Sequence, residues 1–392
     1  MTMDCKAYRA ERIFDGDQVL TDHAVVVSGE QIVSVQPVAE LDTATPVEDL
    51  ATPVEDLGDV LLSPGFVDLQ VNGGGGIMLG DVQNVDDVAQ ICAAHISLGT
   101  TALLPTLITD APDNTQRVAE IGAAAWKAQV PGFHGLHMEG PHLSAARKGA
   151  HDAQLIRPMT YEDLEVYAAA ASDLPNLLIT VAPETVPVET IAKLVGYGAV
   201  VSLGHSGASY DVAISAAEAG ATSVTHLFNA MSPLQHRDPG MVGAALNCGS
   251  LHVGLIADGI HVDPAAIQLA MRAKQDPARI YLVTDAMSVA GTEKTRFELG
   301  GRTIFRMNGR LTLEDGTLAG ADVDFSSSLR VMVKQVGVSL EEALRMATRY
   351  PAEVIGRSNQ VGTLQAGARS DFIALDYDFG VKAVWLGGTK IH

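Results

Sequence analysis

From residue 60 onward the sequence alternates between two textures, and that alternation limits what the chain can fold into. Apolar, β-branched runs occur at VLLSPGFVDLQV (60–71), GTTALLPTL (99–107), GFHGLHME (132–139), LLITVAPE (177–184), AVVSLGH (199–205), SVTHLFNA (223–230), LHVGLIADG (251–259) and RIYLVTD (279–285). Between most of them lie stretches with helical spacing, such as DDVAQICAAHISLG, NTQRVAEIGAAAWKA, YEDLEVYAAAAS and DVAISAAEAG. Continuous apolar strands alternating with helices indicate a parallel sheet covered on both faces. Eight such units predict an α/β fold, a (β/α)8 TIM barrel.

Both ends of the chain read differently. KAYRAERIF, HAVVVSG and QIVSVQP look like short strands separated by the turn signals DGDQ and GE. After the eighth run, RFELGGRTIFRMNGRLTLEDGTLAG has hairpin spacing, residues 326–349 read as two helices, and VGTLQAGARSDFIALDYD returns to strand pattern. Chain termini often lie close together. The expectation is a small β-sandwich domain built from residues 1–59 and 359–392, with a catalytic barrel over 60–358. A direct repeat, ATPVEDL at 44–50 and again at 51–57, is too short for a solenoid and reads as a surface-loop duplication.

Charge narrows the partners. Lys+Arg is 26 against Asp+Glu 47, a formal charge of -21. That field repels phosphate backbones and argues against nucleic acid. An anionic substrate would need locally placed basic groups. No apolar run is long enough to span a membrane, and the N-terminus has no signal-peptide core. Cys5, Cys92 and Cys248 are few, scattered and outside any CxxC spacing, as expected of reduced thiols in a cytoplasmic protein.

In a TIM barrel the active site sits where the strands finish. Strand one ends in Asp68-Leu69-Gln70-Val71-Asn72, strand three in His137-Met138-Glu139, and strand five in Gly204-His205-Ser206. Strand six carries Thr225-His226 and then Asn229, strand seven ends in Asp258-Gly259-Ile260-His261, and strand eight in Thr284-Asp285. A lone histidine is usually structural. Glu139, His205, His226 and Asp285 at one end of one barrel are not alone. One carboxylate and two imidazoles make a three-ligand zinc site with an open position for water or substrate.

These same stretches carry a resemblance. PGFVDLQVNGGGG, TTALLPTLIT, GLHMEGPHL, KGAH, VAPE, LGHS, THLFNAM, ADGIH, VTDAM, GTLAG and YPAEVIG…GTLQAGARSDF follow one another across nearly the whole chain. Together they resemble the amidohydrolase superfamily and, within it, the N-acetylglucosamine-6-phosphate deacetylases. The resemblance implies metal-dependent hydrolysis of the N-acetyl group of N-acetyl-D-glucosamine 6-phosphate to glucosamine 6-phosphate and acetate. It implies Glu139, His205 and His226 as ligands of one divalent ion, with zinc expected, and Asp285 as the catalytic carboxylate. His151, in KGAH, matches a residue that polarises the scissile carbonyl. Ala150, Asn229, Ala230, His261 and the Leu318-Ala319-Gly320 segment match substrate contacts. Arg237 matches a phosphate-binding arginine that one subunit lends to its neighbour, which implies at least a homodimer. Another N-acyl amino sugar, an N-acyl amino acid or a cyclic amide is the alternative substrate class, and a non-catalytic barrel the third reading.

The chain departs from the wider superfamily at strand one. Many members have His-x-His there, supporting a second metal; Gln70-x-Asn72 are poor transition-metal ligands. ADVDFS follows LAG, where the family usually has a serine directly. The glycines Gly73 to Gly76 lack the GKS/T of a P-loop and read as a turn. His137 and His142 flank Glu139, His137 fitting the barrel wall, and Asp258 fits a structural cap. His236 reads as solvent-facing, and His23, His95, His134, His252 and His392 belong to no motif.

Overall fold

The structure, a computed structural model, describes residues 5–41 and 54–392. The first copy of the ATPVEDL repeat, and the start of the second, lie outside the described residues. Eight strands follow one another in a single parallel sheet: β1 (Phe66–Val71), β2 (Thr100–Ile108), β3 (Leu136–Glu139), β4 (Leu177–Val181), β5 (Val200–Leu203), β6 (Ser223–Val224), β7 (His252–Leu255) and β8 (Ile280–Leu282). Most of their residues are buried irrespective of alternation, as a sheet covered on both faces requires. The sequence of neighbours runs β1 to β8 without crossover.

The ring closes just past β8. The Asp285 N–H donates to the Gln70 carbonyl at 2.9 Å, and the Asn72 N–H to the Ala286 carbonyl at 2.8 Å. One layer deeper, Asp68 accepts from the Thr284 hydroxyl at 2.5 Å and from the Thr284 N–H at 3.3 Å. Burial pushes the Asp68 carboxyl up to about 7.

Two expectations change in detail. The run 60–71 splits: Leu61–Pro64 leaves for another sheet before β1 begins. The break falls at Gly65, where a Cβ would lie 2.0 Å from the Thr101 hydroxyl oxygen. The run 223–230 is strand only over Ser223–Val224; beyond it His226, Phe228 and Ala230 take left-handed φ of 29°, 75° and 49°. The stretch after it, residues 232–247, ends in a helix over Gly240–Asn247 whose residues are buried from Gly240 to Leu246. A helix buried all round shows no amphipathic period to read.

The described residues form two compact units. One is the barrel unit, Asp68–His95 with Leu103–Asp324. It includes the hairpin sheet of Arg296–Leu299, Arg302–Met307, Arg310–Thr312 and Leu318–Ala321. The other unit holds the described residues up to Val67, with Ile96–Ala102 and Phe325–His392. The helical stretch from Phe325 thus groups with the terminal strands, not with the barrel segment 60–358 to which the sequence assigned it; Phe325 packs on Phe66 with ring centroids 5.0 Å apart. That stretch comprises Phe325–Arg330, a π turn at Val331–Val336, and the helices Leu340–Ala347 and Arg349–Val354.

The expected sandwich from both chain ends is present in this second unit. Leu61–Pro64 pairs antiparallel with Phe372–Leu375 inside a six-stranded sheet, and Cys5–Arg9 lies in a four-stranded one. Tyr8, from the four-stranded sheet, meets Phe372 and Trp385, from the six-stranded sheet, edge-on at 5.1 and 5.5 Å. Phe372 and Trp385 stack on each other at 4.8 Å.

The loop after β3 carries Ala150 and His151 and is anchored at its far end. Thr160 and Asp163 form a capping box on the helix Tyr161–Asp173. Arg157 grips the Asp163 carboxylate with both terminal guanidinium nitrogens. His142 is fully buried. Its Nδ1 donates to the Arg157 carbonyl at 3.1 Å and its Nε2 accepts from the Tyr167 hydroxyl at 3.1 Å. Burial pushes His142 from 6.5 down to about 4, against the opposing charge of Asp163 at 3.9 Å. Between those values the unfolded chain binds a proton that the folded chain refuses. Stability contributed here is therefore intact above pH 6.5 and is lost as pH falls towards 4. We expect Tm to fall across this window, and His142→Gln to flatten the fall, as thermal melts of both proteins at a series of pH values would show; parallel curves would contradict the assignment.

Candidate active site

Polar side chains from the ends of six strands converge on one cleft. Its walls include Asn72, Glu139, Ala150, His151, His205, His226, Asn229, Ala230, His261, Asp285, Leu318 and Gly320, around about 700 Å³ of space counted to the open mouth. That size suits a small organic ligand. Four non-glycine residues of the wall sit in left-handed backbone: His205 at φ 46°, His226 at 29°, Ala230 at 49° and Asp285 at 52°. This region disfavours residues with a Cβ, and such strain concentrates at functional sites.

Glu139, His205 and His226 form a tight triangle. His226 Nε2 lies 3.0 Å from Glu139 Oε1 and 3.0 Å from His205 Nε2, and His205 Nε2 lies 3.3 Å from Glu139 Oε1. His205 Nδ1 is 2.9 Å from the Arg147 carbonyl, which can only accept. Nδ1 therefore carries the proton, and the Nε2 lone pair points into the triangle. Donors bonded to one tetrahedral zinc at about 2.0–2.1 Å stand roughly 3.3 Å apart, so the triangle fits a metal ion. Such an ion also resolves the approach of two imidazole nitrogens. Burial alone would raise the Glu139 carboxyl, but the imidazoles of His205 and His226 beside it hold it well below the usual range. Burial lowers His226, and the Glu139 carboxylate reverses that and raises it.

The ligand atoms of Glu139, His151 and His205 also gather within 4.8 Å. Hydrogen bonding separates His151 from the ligands. Its Nδ1 accepts from the Thr109 N–H at 3.2 Å and lies 2.8 Å from the Thr109 hydroxyl. A backbone N–H only donates, so a neutral His151 carries its proton on Nε2. Burial, reinforced by His205, pushes its pKa down to about 3 and keeps it neutral. Nε2 stands 4.0 Å from Glu139 Oε2, as a hydrogen-bond donor facing the triangle.

Asp285 faces the triangle from β8. Burial and the neighbouring Glu139 charge raise its carboxyl above the usual range. His261 Nδ1 meets Asp258 Oδ2 at 2.6 Å, and Asp258 also accepts from the backbone N–H groups of residues 260 and 261. Asn229 donates to the carbonyls of His226 and Leu227 at 3.3 and 3.2 Å.

Two residues named by the sequence stand outside the cleft wall. Ala319 is 0% exposed, packed in a core with Met78, Met287 and Ile304. Its neighbours do the lining, and Gly320 is tight: a Cβ there would meet Met287 Sδ at 2.5 Å. Arg237 is exposed, with residues 233–238 exposed around it, and is absent from its own chain's cleft wall. Gln70 and Thr109 are polar residues whose contacts the sequence did not reveal. Gln70 Nε2 donates to Glu139 Oε1 at 2.9 Å and to Asp285 Oδ1 at 3.1 Å.

Residues 61–391 match the amidohydrolase family, and residues 10–52 match the NagA composite domain. The N-acetylgalactosamine-6-phosphate deacetylase of Shewanella sp. (strain ANA-3) is 43% identical over 331 residues, 84% of this chain and 83% of that protein. The N-acetylglucosamine-6-phosphate deacetylase of Haemophilus influenzae is 35% identical over 358 residues, 91% of each. The crystal structure of N-acetylglucosamine-6-phosphate deacetylase from Pasteurella multocida superposes with a TM-score of 0.91 at 34% identity, covering 99% of both chains. The Mycobacterium smegmatis enzyme, an Asp-to-Ala mutant in complex with N-acetyl-D-glucosamine-6-phosphate, gives 0.88 at 32%, covering 98% of this chain and 99% of that one. With its family match over most of its length and these relatives, the chain belongs to the amidohydrolase family, in the group of the N-acetylated amino-sugar-6-phosphate deacetylases.

Proposed function

We propose that this chain hydrolyses the acetamide of N-acetyl-D-glucosamine 6-phosphate, releasing acetate and D-glucosamine 6-phosphate. The observation that carries the reading is the meeting, in one cleft, of a fixed N–H donor at His151 and a part-buried carboxylate at Asp285 with the Glu139–His205–His226 triangle. Those three residues would hold one divalent ion, and the imidazole–carboxylate set favours zinc. When bound, the ion supplies Lewis acidity towards water and the amide carbonyl.

The chain's own groups do the rest. His151 Nε2–H donates to the acetamide oxygen as negative charge collects there. Asp285 accepts a proton from the attacking water and passes it to the departing nitrogen as the C–N bond breaks and the C–O bond forms. The carboxyl raised by burial suits both roles. Asn229, Ala230, Ala150, Leu318 and Gly320 shape the sugar's seat, and Ala319 supports it from the core. His261, with Nδ1 engaged by Asp258, offers its other edge to the phosphate. A cytoplasmic setting fits the three free cysteines, and among the described residues no helix is long and apolar enough to cross a membrane.

The 43% relative favours a second reading in which the 4-epimer, N-acetylgalactosamine 6-phosphate, is the better substrate. Acetate release from both phosphorylated sugars and from unphosphorylated N-acetylglucosamine separates the possibilities. Turnover of the glucosamine derivative above the other two is expected; preference for the galactosamine derivative supports the second reading, and no release from either phosphorylated sugar overturns both. Asp285→Asn should keep fold and metal while losing about 10²–10⁴-fold in kcat. Turnover near wild type would remove Asp285 from the proton path.

Arg237 completes the reading. Its exposure and its lack of an ion pair among the described residues suit an arm that reaches a second chain. We propose a homodimer in which Arg237 binds the phosphate in the neighbour's cleft. Arg237→Ala should weaken the phosphorylated sugar by roughly 10–150-fold, the worth of a charge-assisted hydrogen bond of about 1.5–3 kcal/mol. Mixing Arg237→Ala chains with Asp285→Asn chains should restore activity, since one site of each hybrid then has both groups intact. No recovery despite proven subunit exchange would contradict the shared site.

A further inference from the structure

The interior face of β1 carries polar side chains whose work the reaction above leaves unassigned. Period-two alternation sends Asp68, Gln70 and Asn72 to one face of the strand and its extension, and Val67, Leu69 and Val71 to the other. Gln70 and Asn72 are each 2% exposed. A carboxamide buried so deeply is costly unless its donors and acceptors are satisfied.

Their contacts are specific. Gln70 Nε2 bridges two carboxylates, donating to Glu139 Oε1 at 2.9 Å and to Asp285 Oδ1 at 3.1 Å. Asn72 Nδ2 donates to that same Asp285 oxygen at 2.7 Å and to the Asp285 carbonyl at 3.3 Å. Every oxygen contacted is an acceptor, which fixes the amide nitrogens as the inward ends. Asp285 Oδ1 thus receives two N–H donors. No hydrogen bond to Asp285 Oδ2 is present among the described residues.

We propose that Gln70 and Asn72 are positioning residues that form a carboxamide clamp, pinning Asp285 Oδ1 so that Oδ2 is the oxygen left to exchange a proton, while Gln70 also fixes Glu139 as a metal ligand. The proposal rests on the reading of Asp285 as the proton carrier. Two neighbouring carboxylates, one buried and one part-buried, repel, and a carboxylate held only by its own backbone can swing away from its neighbour. An amide between them, donating to both, opposes that swing at no cost in net charge. Histidine, aspartate or glutamate at these positions would bring titratable groups; glutamine and asparagine bring fixed dipoles. The two amides also divide the labour: Asn72 reaches Asp285 and, at 3.3 Å, Met287 Sδ but not Glu139, whereas Gln70 acts on Asp285 and on the metal site.

That division gives the test. Asn72→Leu removes a donor to Asp285 and none to Glu139. It should lower kcat by about 10–100-fold, the usual scale for a group that orients a reacting residue, with KM and the affinity for Zn²⁺ near wild type. Gln70→Met should lower kcat similarly and also weaken Zn²⁺ retention against a competing chelator by about 10–100-fold. In an Asp285→Asn background Asn72→Leu should cost little more, because its target is already gone. A general loosening of the barrel would instead move kcat, KM, Zn²⁺ affinity and Tm together and would add to Asp285→Asn. Should the leucine variant not fold, Asn72→Ala, which removes the donor without adding a charge, is read by the same split. Unchanged kcat in the folded Asn72 variant, or unchanged Zn²⁺ retention in Gln70→Met, overturns the clamp. Absence of acetate release by the wild type overturns the functional reading instead, and the chelator competition still decides whether Gln70 holds Glu139.

Discussion

The seam where the eighth strand meets the first sets the geometry of the site. Backbone hydrogen bonds from Asp285 to Gln70 and from Asn72 to Ala286 close the barrel at the same level at which its chemistry is placed. Because side chains alternate along β1, the residues that close the ring also aim Gln70 and Asn72 inward, beside Asp285. Asp68 and Thr284 repeat the link one layer below. Glu139 lies in β3, and His205 and His226 sit in the turns that directly follow β5 and β6, so the metal-facing groups are mounted close to the ring of strands, which is stiffer than a long loop.

Two carboxylates within this ring need different characters, and their surroundings provide them. Glu139 sits against two imidazoles that favour its charged form. Asp285 sits against burial and against Glu139 itself, which disfavour it. The same side chain chemistry thus yields a ligand on one side and a proton carrier on the other. His151 adds a third character: Thr109 fixes its tautomer, and burial keeps it neutral, so it donates a hydrogen bond without bringing charge.

Much of this was legible in the sequence, for physical reasons. Eight doubly buried strands are mostly apolar, so the polar residues gathered at their ends, such as Glu139, His205 and Asp285, stand out. The hairpins of 296–321 and the pairing of the two chain ends follow from alternation and turn chemistry. What was not legible depended on direction and contact. Gln70 and Asn72 read only as missing metal ligands, because hydrogen bonds across the barrel leave no trace in spacing. The helix Gly240–Asn247 is buried too evenly to show a period. Ala319 belongs with the substrate segment in sequence, yet it points into the core while Leu318 and Gly320 face the cleft. The left-handed turns at His205, His226 and Asp285 are imposed by the fold on residues that do not favour them.

The account stands on a single metal ion held by Glu139, His205 and His226, with amides rather than ligands contributed by β1. Elemental analysis of the purified protein, before and after dialysis against a chelator, tests this most directly. The account predicts close to one equivalent of a divalent ion per chain, lost together with acetate release and restored by one equivalent, and far weaker retention in Glu139→Gln. Two firmly held ions per active chain, or full activity in metal-free protein, would contradict it.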